Sequence, residues 1–290
     1  MPARPAMNAP LSLGISPCPN DTYIFDAWIN GRLGRDAPAV SARLEDVETL
    51  NRLAMQDMFD VAKVSFFAFG LLRGRYRLLQ AGGALGRGCG PLLVGRDAAL
   101  SGQDLAGKGL RVAVPGELTT ANLLLRLYAP GLKAIEPLPF DRIMPAVAGG
   151  DFDAGVIIHE GRFTYRQHAL HMMADLGAWW EKSTGHPIPL GCIVARTSLA
   201  PKVIERLEST IRASLLHARR HPGDAAAYIH AHAQEMDAQV IKRHIDLYVN
   251  DFTTDYGSEG RAAIACLMNR ARADGLLQQP RPSGRSLKSV

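Results

Sequence analysis

The stretch Gly155-Val156-Ile157-Ile158-His159-Glu160 decides the fold class of this chain. Its run of β-branched apolar residues is typical of a strand that is buried on both faces, as the strands of parallel sheets are. An imidazole fits such a strand only at its carboxyl end, which is the edge where α/β sheets bind their ligands. We therefore predict an α/β fold and take His159 as the first candidate for chemistry. The plainer alternative is a histidine that ends the strand and bonds to a nearby carbonyl.

Patterns typical of strands and helices alternate on both sides of this stretch, which predicts a sheet covered by helices. The predicted strands cover residues 11–16, 40–44, 60–65, 78–80, 91–94, 110–114 and 188–194. A first helix through Tyr23, Phe25 and Trp28 is expected to be capped by Asn20 or Asp21. Further helical patterns cover residues 48–55, 123–128, 204–219, 225–232, 238–248 and 260–273, with another element over 140–147. The sequence shows no internal repeat.

The chain is predicted to pass from one lobe to the other in two segments, the glycine-dense stretch 81–90 and the strand 188–194. The predicted lobes are residues 1–95 together with 197–277, and residues 96–196. Residues 278–290, which are rich in Pro, Ser and Arg, are predicted to be disordered. Two crossings around a middle α/β lobe indicate a two-lobed, periplasmic-binding-protein-like (type II) fold. We expect its active site in the interlobe cleft.

The amino-acid composition indicates which class of protein this chain belongs to. The chain has 290 residues, of which 47% are hydrophobic and 21% charged, as in soluble globular proteins. The net charge of +5 is modest and its positive residues are scattered, which argues against a nucleic-acid partner. No stretch is long enough to span a membrane, and the first ten residues, broken by three prolines, do not resemble a secretory signal. The four cysteines lie far apart, which favours reduced thiols in the cytoplasm.

A polar turn follows the predicted strand 110–114 at the edge where His159 is expected to emerge. Thr119 and Thr120 begin a helix there. A helix N-terminus offers unpaired N–H groups and a partial positive charge, so it suits a carboxylate or a phosphate. The alternative is that one of the two threonines is only a helix cap.

Similar turns are expected in the other lobe. Lys63, Val64 and Ser65 end the strand 60–65, and Ser65 is either a ligand contact or another helix cap. Ser16 and Asn20 occupy the corresponding place after the first strand, so we expect them to line the cleft. Together with Thr119 and Thr120, these turns predict an anion-binding cleft between two lobes.

The sequence also argues against a nucleotide cofactor and against a metal site. The glycines of residues 86–90 precede a strand-like run rather than a helix, so they lack the context of a dinucleotide fingerprint, and no P-loop occurs. No histidine spacing matches a zinc motif, so we predict no metal site. Cys18 lies between two prolines with no partner base visible in the sequence, which favours a structural role.

Several long motifs, in order, resemble the 1,4-dihydroxy-6-naphthoate synthase family of the futalosine route to menaquinone. They are residues 16–22 (SPCPNDT), 63–66 (KVSF), 82–91 (GGALGRGCGP), 158–160 (IHE) and 162–165 (RFTY). The resemblance covers about residues 11–277. It implies a periplasmic-binding-protein-like enzyme, a lyase that splits cyclic dehypoxanthinyl futalosine into the naphthoate and a small sugar-derived fragment by carbon–carbon cleavage.

The resemblance also implies roles for particular residues. The general base falls on His159, and the substrate contacts fall on Lys63, Val64, Ser65 and on the pair Thr119–Thr120. A neutral imidazole, with an ordinary pKa near ~6.5, is suited to accept a proton at cellular pH. Aromatisation of the product would drive the cleavage, so no metal or redox cofactor is expected, and the expected partner is a small anionic substrate.

Three alternatives and one detail remain open at this point. Glu160 is not expected to orient His159, because adjacent strand residues point to opposite faces of a sheet. A solute-binding protein that holds a small anion without chemistry has the same fold. A sister menaquinone enzyme such as a chorismate dehydratase would share both the fold and the cleft. The structural alternative for His159 also stands.

Overall fold

A computed structural model of the chain describes residues 9–102, 104–233 and 237–277. The predicted disordered tail, 278–290, lies outside the described residues. The strands are β1 Leu11–Ile15, β2 Val40–Leu44, β3 Val61–Ser65, β4 Tyr76–Leu78, β5 Ala84–Gly86, β6 Leu92–Gly95, β7 Val112–Val114, β8 Ile135–Pro137, β9 Ala154–Ile157, β10 His171–Asp175 and β11 Ile188–Arg196.

Helices follow most of the strands. They are α1 Pro19–Ile29, α2 Val47–Met55, α3 Phe66–Leu72, α4 Asp104–Gly107, α5 Thr120–Tyr128, α6 Phe140–Gly149, α7 Gly161–Thr164, α8 Leu176–Thr184, α9 Pro201–Arg220, α10 Ala226–His232, α11 Ala238–Tyr248, α12 Asp251–Thr254 and α13 Gly257–Ala273. A 3₁₀ helix covers Tyr165–His168. The bounds of β2 and α11 are those predicted from the sequence.

Within the described residues the strands form two sheets that share one topology. The first has the order β2-β1-β3-β11-β4, with β5 also paired to β11, and the second has the order β8-β7-β9-β6-β10. In each, three strands run parallel and the fourth is antiparallel to its neighbours. Strands of the first sheet come from residues 11–86 and 188–196, and those of the second from residues 92–175. The topology therefore repeats although the sequence shows no repeat, and the exact lobe boundaries stay a prediction.

Three local predictions differ from the structure. The strand predicted at 78–80 is β4, two residues earlier. The strand that was expected to carry His159 at its carboxyl end stops at Ile157, two residues before the histidine. The first helix begins at Pro19 with Cys18 as its N-cap, because proline at the first helical position already has a helical φ. Asn20 and Asp21 lie inside the first turn instead of capping it.

The glycine-dense stretch between the sheets contains a close backbone approach. A Cβ atom on Gly90 would lie 2.3 Å from the Cα atom of Gly177, at the start of α8. Only glycine allows two backbones to pack so closely. The stretch predicted as a crossing also contains β5, a short strand of the first sheet, before the chain enters β6 in the second.

One apolar cluster joins the two sheets. It contains Val64 of β3 and Phe66 of α3 as well as Val112 of β7 and Val156 of β9, all fully buried. Burying a valine or phenylalanine side chain stabilises a fold by roughly 1.5–3 kcal/mol. The strand ends that face the cleft are therefore supported by a shared core.

Candidate active site

The carboxyl ends of β1, β3, β7 and β9 surround one cavity between the two sheets, with β11 along its side. The cavity encloses about 670 Å³ of empty space, open solvent included. Its walls are mostly apolar, and the predicted site residues that line it are Ser16, Asn20, Lys63, Ser65, Thr119, Thr120 and His159. The structure thus brings together seven of the eight residues singled out from the sequence.

Val64 is the exception. Its side chain is fully buried in the core cluster, and it does not line the cavity. Neighbouring residues of a strand point to opposite faces, so Lys63 and Ser65 reach the cleft while Val64 turns away. We therefore remove the Val64 side chain from the candidate substrate contacts.

A buried ion pair organises the end of the first sheet. The Lys63 ammonium contacts the Asp21 carboxylate, and both side chains are almost fully buried. Asp21 also accepts hydrogen bonds from the N–H of Ser16 at 3.1 Å and from its hydroxyl at 2.7 Å. The amide of Asn20 donates to the same carboxylate at 2.9 Å. Because a Cβ on Gly191 would lie 2.9 Å from the Lys63 side chain, the glycine leaves the room that Lys63 needs.

Ser65 is held rigidly beside this pair. Its N–H donates to the side-chain oxygen of Asn51 at 2.9 Å, and the Asn51 amide donates to the Ser65 hydroxyl at 3.2 Å. Ser65 occupies the N-cap position of α3, but its side chain makes no capping hydrogen bond. The hydroxyl proton is therefore free to face the cavity.

The threonine turn offers backbone rather than side-chain donors. Thr119 caps α5, since its hydroxyl accepts from the N–H of Asn122 at 3.2 Å. The Thr120 hydroxyl donates to the carbonyl of Leu190 at 2.7 Å, which links the two sheets. Within the described residues, the N–H groups of Thr120 and Ala121 have no acceptor. These N–H groups begin α5 at the cavity wall, in the arrangement that binds anions at helix N-termini.

His159 lies in a turn two residues beyond the end of β9. Its φ is 56°, in the left-handed region that residues other than glycine rarely adopt. This conformation costs about 1–2 kcal/mol for a residue with a Cβ atom. Such strain at a cavity is characteristic of functional positions. The turn carries the imidazole away from its own sheet and toward residues of the first sheet.

Three side chains surround the imidazole of His159. The ring of Phe140 meets it edge-on at 5.3 Å between centroids, and the ring of His244 stacks on it at 6.0 Å and 18°. The Cys18 sulfur lies 3.6 Å from Nδ1 and 3.7 Å from Nε2. A sulfur in line with one nitrogen lone pair would be much farther from the other nitrogen. Cys18 therefore packs against the ring as a thiol and does not form a nucleophile–base pair with it.

Burial favours the neutral form of this imidazole. It lowers the pKa of His159 below the ordinary value of 6.5, while the negative charges of Glu160 and Asp21 oppose the shift. Burial also raises the pKa of the Cys18 thiol far above its usual range, with the Glu160 charge acting in the same direction. At neutral pH, His159 is thus an unprotonated base next to a protonated thiol.

His244 lies behind the cavity, against the ring of His159, and was not among the residues predicted from the sequence. It lies on α11 with 1% of its surface exposed, and its Nε2 atom bonds to the side-chain oxygen of Asn20 at 2.9 Å. Burial places the pKa of His244 well below the ordinary value of 6.5. Its spacing from Ile241 and Tyr248, three and four residues away, puts it on the buried face of the helix. That spacing is the signal that could have identified it.

Glu160 also needs a correction. The expectation that it points away from His159 assumed that both residues belong to a strand, but the strand ends at Ile157 and Glu160 is the N-cap of α7. Its Oε2 atom lies 3.8 Å from Nδ1 of His244. The alternating direction of side chains along a strand therefore does not exclude Glu160 from the site.

Among the described residues, no helix is both long and apolar enough to cross a bilayer. The same residues contain no group of three or more His, Cys, Asp or Glu side chains arranged to hold a metal ion.

Comparisons with solved structures bear on the fold. A protein of known structure from Archaeoglobus fulgidus superposes with a TM-score of 0.83 at 35% identity, covering 92% of this chain and 98% of that chain. The alkanesulfonate-binding protein SsuA from Xanthomonas axonopodis, bound to MOPS, superposes with a TM-score of 0.69 at 15% identity, covering 96% of each chain. The predicted α/β, periplasmic-binding-protein-like fold is confirmed.

Comparisons of sequence bear on the family. A family profile described as menaquinone biosynthesis matches residues 11–273. A 1,4-dihydroxy-6-naphthoate synthase from Thermus thermophilus is 50% identical, over 94% of this chain and 98% of that protein. One from Streptomyces coelicolor is 47% identical, over 92% of this chain and 94% of that protein. The chain therefore belongs to the menaquinone-biosynthesis family that contains the 1,4-dihydroxy-6-naphthoate synthases.

Proposed function

We propose that this protein is a lyase that converts cyclic dehypoxanthinyl futalosine into 1,4-dihydroxy-6-naphthoate in the futalosine route to menaquinone. One observation carries the proposal: a neutral imidazole, His159, is held in a strained turn at a cavity with anion-binding groups on its walls. The names of the relatives supply the product. The substrate and the bond that breaks follow from the sequence resemblance.

In this proposal His159 is the general base. It removes a proton from the sugar portion of the substrate, and cleavage of a carbon–carbon bond then releases the sugar-derived fragment and leaves an aromatic ring. A base must be unprotonated before it acts, and the lowered pKa of His159 meets that requirement. A positioned base of this kind contributes roughly 10²–10⁴-fold in rate.

The other cavity residues bind and orient the substrate. The unpaired N–H groups at the start of α5, supported by the Thr119 cap and by Thr120, are suited to the naphthoate carboxylate. Ser65 offers a hydroxyl from the opposite sheet. Lys63 is already paired with Asp21, so it contributes mainly by fixing that network. The apolar walls suit a fused aromatic ring.

The compartment is part of the same proposal. All four cysteines are free thiols, and three of them are buried. Reduced cysteines without disulfide partners are typical of proteins in reducing compartments. We propose that the reaction takes place in the cytoplasm.

A product assay tests the proposal. Purified protein is incubated with cyclic dehypoxanthinyl futalosine, and the products are identified by mass spectrometry; we expect 1,4-dihydroxy-6-naphthoate and a sugar-derived fragment. Turnover of chorismate in a parallel reaction, with the futalosine derivative untouched, would instead identify a dehydratase. Futalosine derivative that binds but is recovered unchanged would favour a solute-binding protein.

A further inference from the structure

Two buried acceptor atoms behind the cavity face each other without a hydrogen bond. They are Oε2 of Glu160 and Nδ1 of His244, which lie 3.8 Å apart. Neither atom has a hydrogen-bond partner within the described residues. Buried polar atoms in folded proteins are nearly always paired, so two facing exceptions require an explanation. Neither side chain lines the cavity itself.

The hydrogen bonds on the other side of His244 determine which ring nitrogen carries a proton. The Asp21 carboxylate is paired with Lys63 and accepts two hydrogen bonds from Ser16, so it acts as an acceptor. The Asn20 atom that faces Asp21 must then be the NH₂ group, which leaves the Asn20 oxygen to face His244. That oxygen can only accept a hydrogen bond, so the proton of the neutral ring is on Nε2. Nδ1 of His244 is therefore a bare lone pair.

A ring nitrogen without a proton thus lies beside a carboxylate oxygen, and neither atom has a donor among the described residues. One proton taken from solvent would satisfy both atoms, whether it is formally carried by the carboxyl group or by the ring. It would also draw the two atoms from 3.8 Å toward hydrogen-bond distance. We propose that Glu160 and His244 hold one shared proton and together act as the positioning pair for His159.

The pair is coupled to His159 in two ways. The ring of His244 stacks on the ring of His159, with 18° between their planes. Glu160 is the next residue in the same left-handed turn. A hydrogen bond between Glu160 and His244 would therefore tie the turn to α11 and hold the His159 ring in one orientation. This role rests on the proposed function in one respect, namely that His159 is the general base.

The charged and titratable groups around the pair come from several elements. Cys18 and Asp21 lie at the start of α1, Lys63 on β3, His159 after β9, and Tyr248 on α11 itself. Lys63 and Asp21 largely neutralise each other. Burial lowers the pKa of His244, so the ring does not hold a second proton by itself at neutral pH.

Substitutions of Glu160 separate a shared proton from a required negative charge. Glu160→Gln is neutral, keeps the shape of the side chain and can donate an amide N–H to Nδ1 of His244, so it imitates the protonated pair. We expect its kcat to stay within about threefold of wild type, whereas Glu160→Ala and His244→Phe should lower kcat by about tenfold or more, with KM little changed. His244→Phe keeps a stacked ring and removes both hydrogen bonds of His244, so its loss of activity separates the hydrogen bonds from the stacking. Equal losses in Glu160→Gln and Glu160→Ala would overturn the shared proton.

A spectroscopic measurement decides the same point without turnover. In protein labelled with ¹⁵N at histidine, the His244 signals are assigned by their loss in His244→Phe, and the Nδ1 resonance is followed from pH 8 to pH 6. We expect Nδ1 to give the chemical shift of a hydrogen-bonded nitrogen in wild type and in Glu160→Gln, but that of a bare lone pair in Glu160→Ala. A bare Nδ1 in wild type across this range rules the inference out. If the protein fails to convert the futalosine derivative while Nδ1 is hydrogen-bonded in wild type, the proposed function fails and the shared proton stands.

Discussion

The third strands of the two sheets occupy the same place in the same topology, yet they end differently. β3 runs straight into α3, and its last residue, Ser65, has ordinary extended angles and is clamped by Asn51. β9 stops at Ile157, and the chain turns through the left-handed conformation of His159 before the short helix α7. The end of β3 is thus held by regular hydrogen bonds. The end of β9 leads into a strained turn that carries an imidazole across the cleft.

In the proposed function, this difference separates the groups that bind the substrate from the group that accepts a proton. The regular strand ends, including that of β7 with its cap at Thr119, present backbone and hydroxyl groups at fixed positions. The irregular end of β9 presents a titratable ring and supports it with residues of the other sheet, Cys18 and His244. The proposed base is therefore positioned by both halves of the molecule, and its environment exists only when the two sheets are packed together.

The largest expected effect comes from removing the base at the irregular end. His159→Asn should lower kcat by roughly 10²–10⁴-fold, because the proton acceptor is lost. Asparagine tolerates the left-handed conformation better than most residues, so the fold should be kept. Steady-state kinetics with cyclic dehypoxanthinyl futalosine, together with a thermal melt, provide the measurement.

His168→Asn is the matched control for that variant. His168 is exposed in the 3₁₀ helix that follows α7, so the same substitution there should change neither kcat nor the melting temperature. Turnover by His159→Asn close to that of wild type would remove His159 from the role of base. The contrast between the two strand ends would then concern structure alone.

A smaller effect, on stability, is expected at the regular end. Lys63→Met leaves the Asp21 carboxylate buried without its cation, and breaking a buried ion pair in this way typically costs about 3–5 kcal/mol. The free energy of unfolding in urea measures the loss. The double variant Lys63→Met, Asp21→Asn removes both charges and should recover part of it. If the double variant loses as much free energy of unfolding as the single variant, the ion pair does not stabilise the end of β3.

The sequence predicted the regular parts of this molecule well. Alternating patterns located β2 and α11 to the residue, and polar residues at predicted strand ends identified seven residues that line one cavity. These features depend on local periodicity and on the rule that α/β sheets bind at their carboxyl edge. Val64 was placed in the site because the motif contains it, although strand alternation turns its side chain into the core.

The remaining parts of the site depend on contacts between distant residues. Cys18 and His159 are 141 positions apart, and Asn20 and His244 are 224 apart, so no local pattern relates them. The early end of β9 was also invisible, because Ile158 continues the apolar run while the backbone has already left the sheet. Sequence patterns report periodicity, and a single left-handed residue breaks that periodicity without changing the composition around it.

The smallest expected effect is the contribution of His159, at the irregular end, to the dependence of stability on pH. Burial lowers the pKa of His159 below 6.5, whereas in the unfolded chain the imidazole titrates near its ordinary value. Between the two values the unfolded chain binds a proton that the folded chain excludes, so stability present above pH 6.5 is lost as the pH falls. The slope for one such group is at most about 1.4 kcal/mol per pH unit. Urea unfolding of wild type and His159→Asn at pH 7.5 and pH 5.5 should therefore give a shallower slope for the variant, and equal slopes would contradict a buried neutral imidazole at this turn.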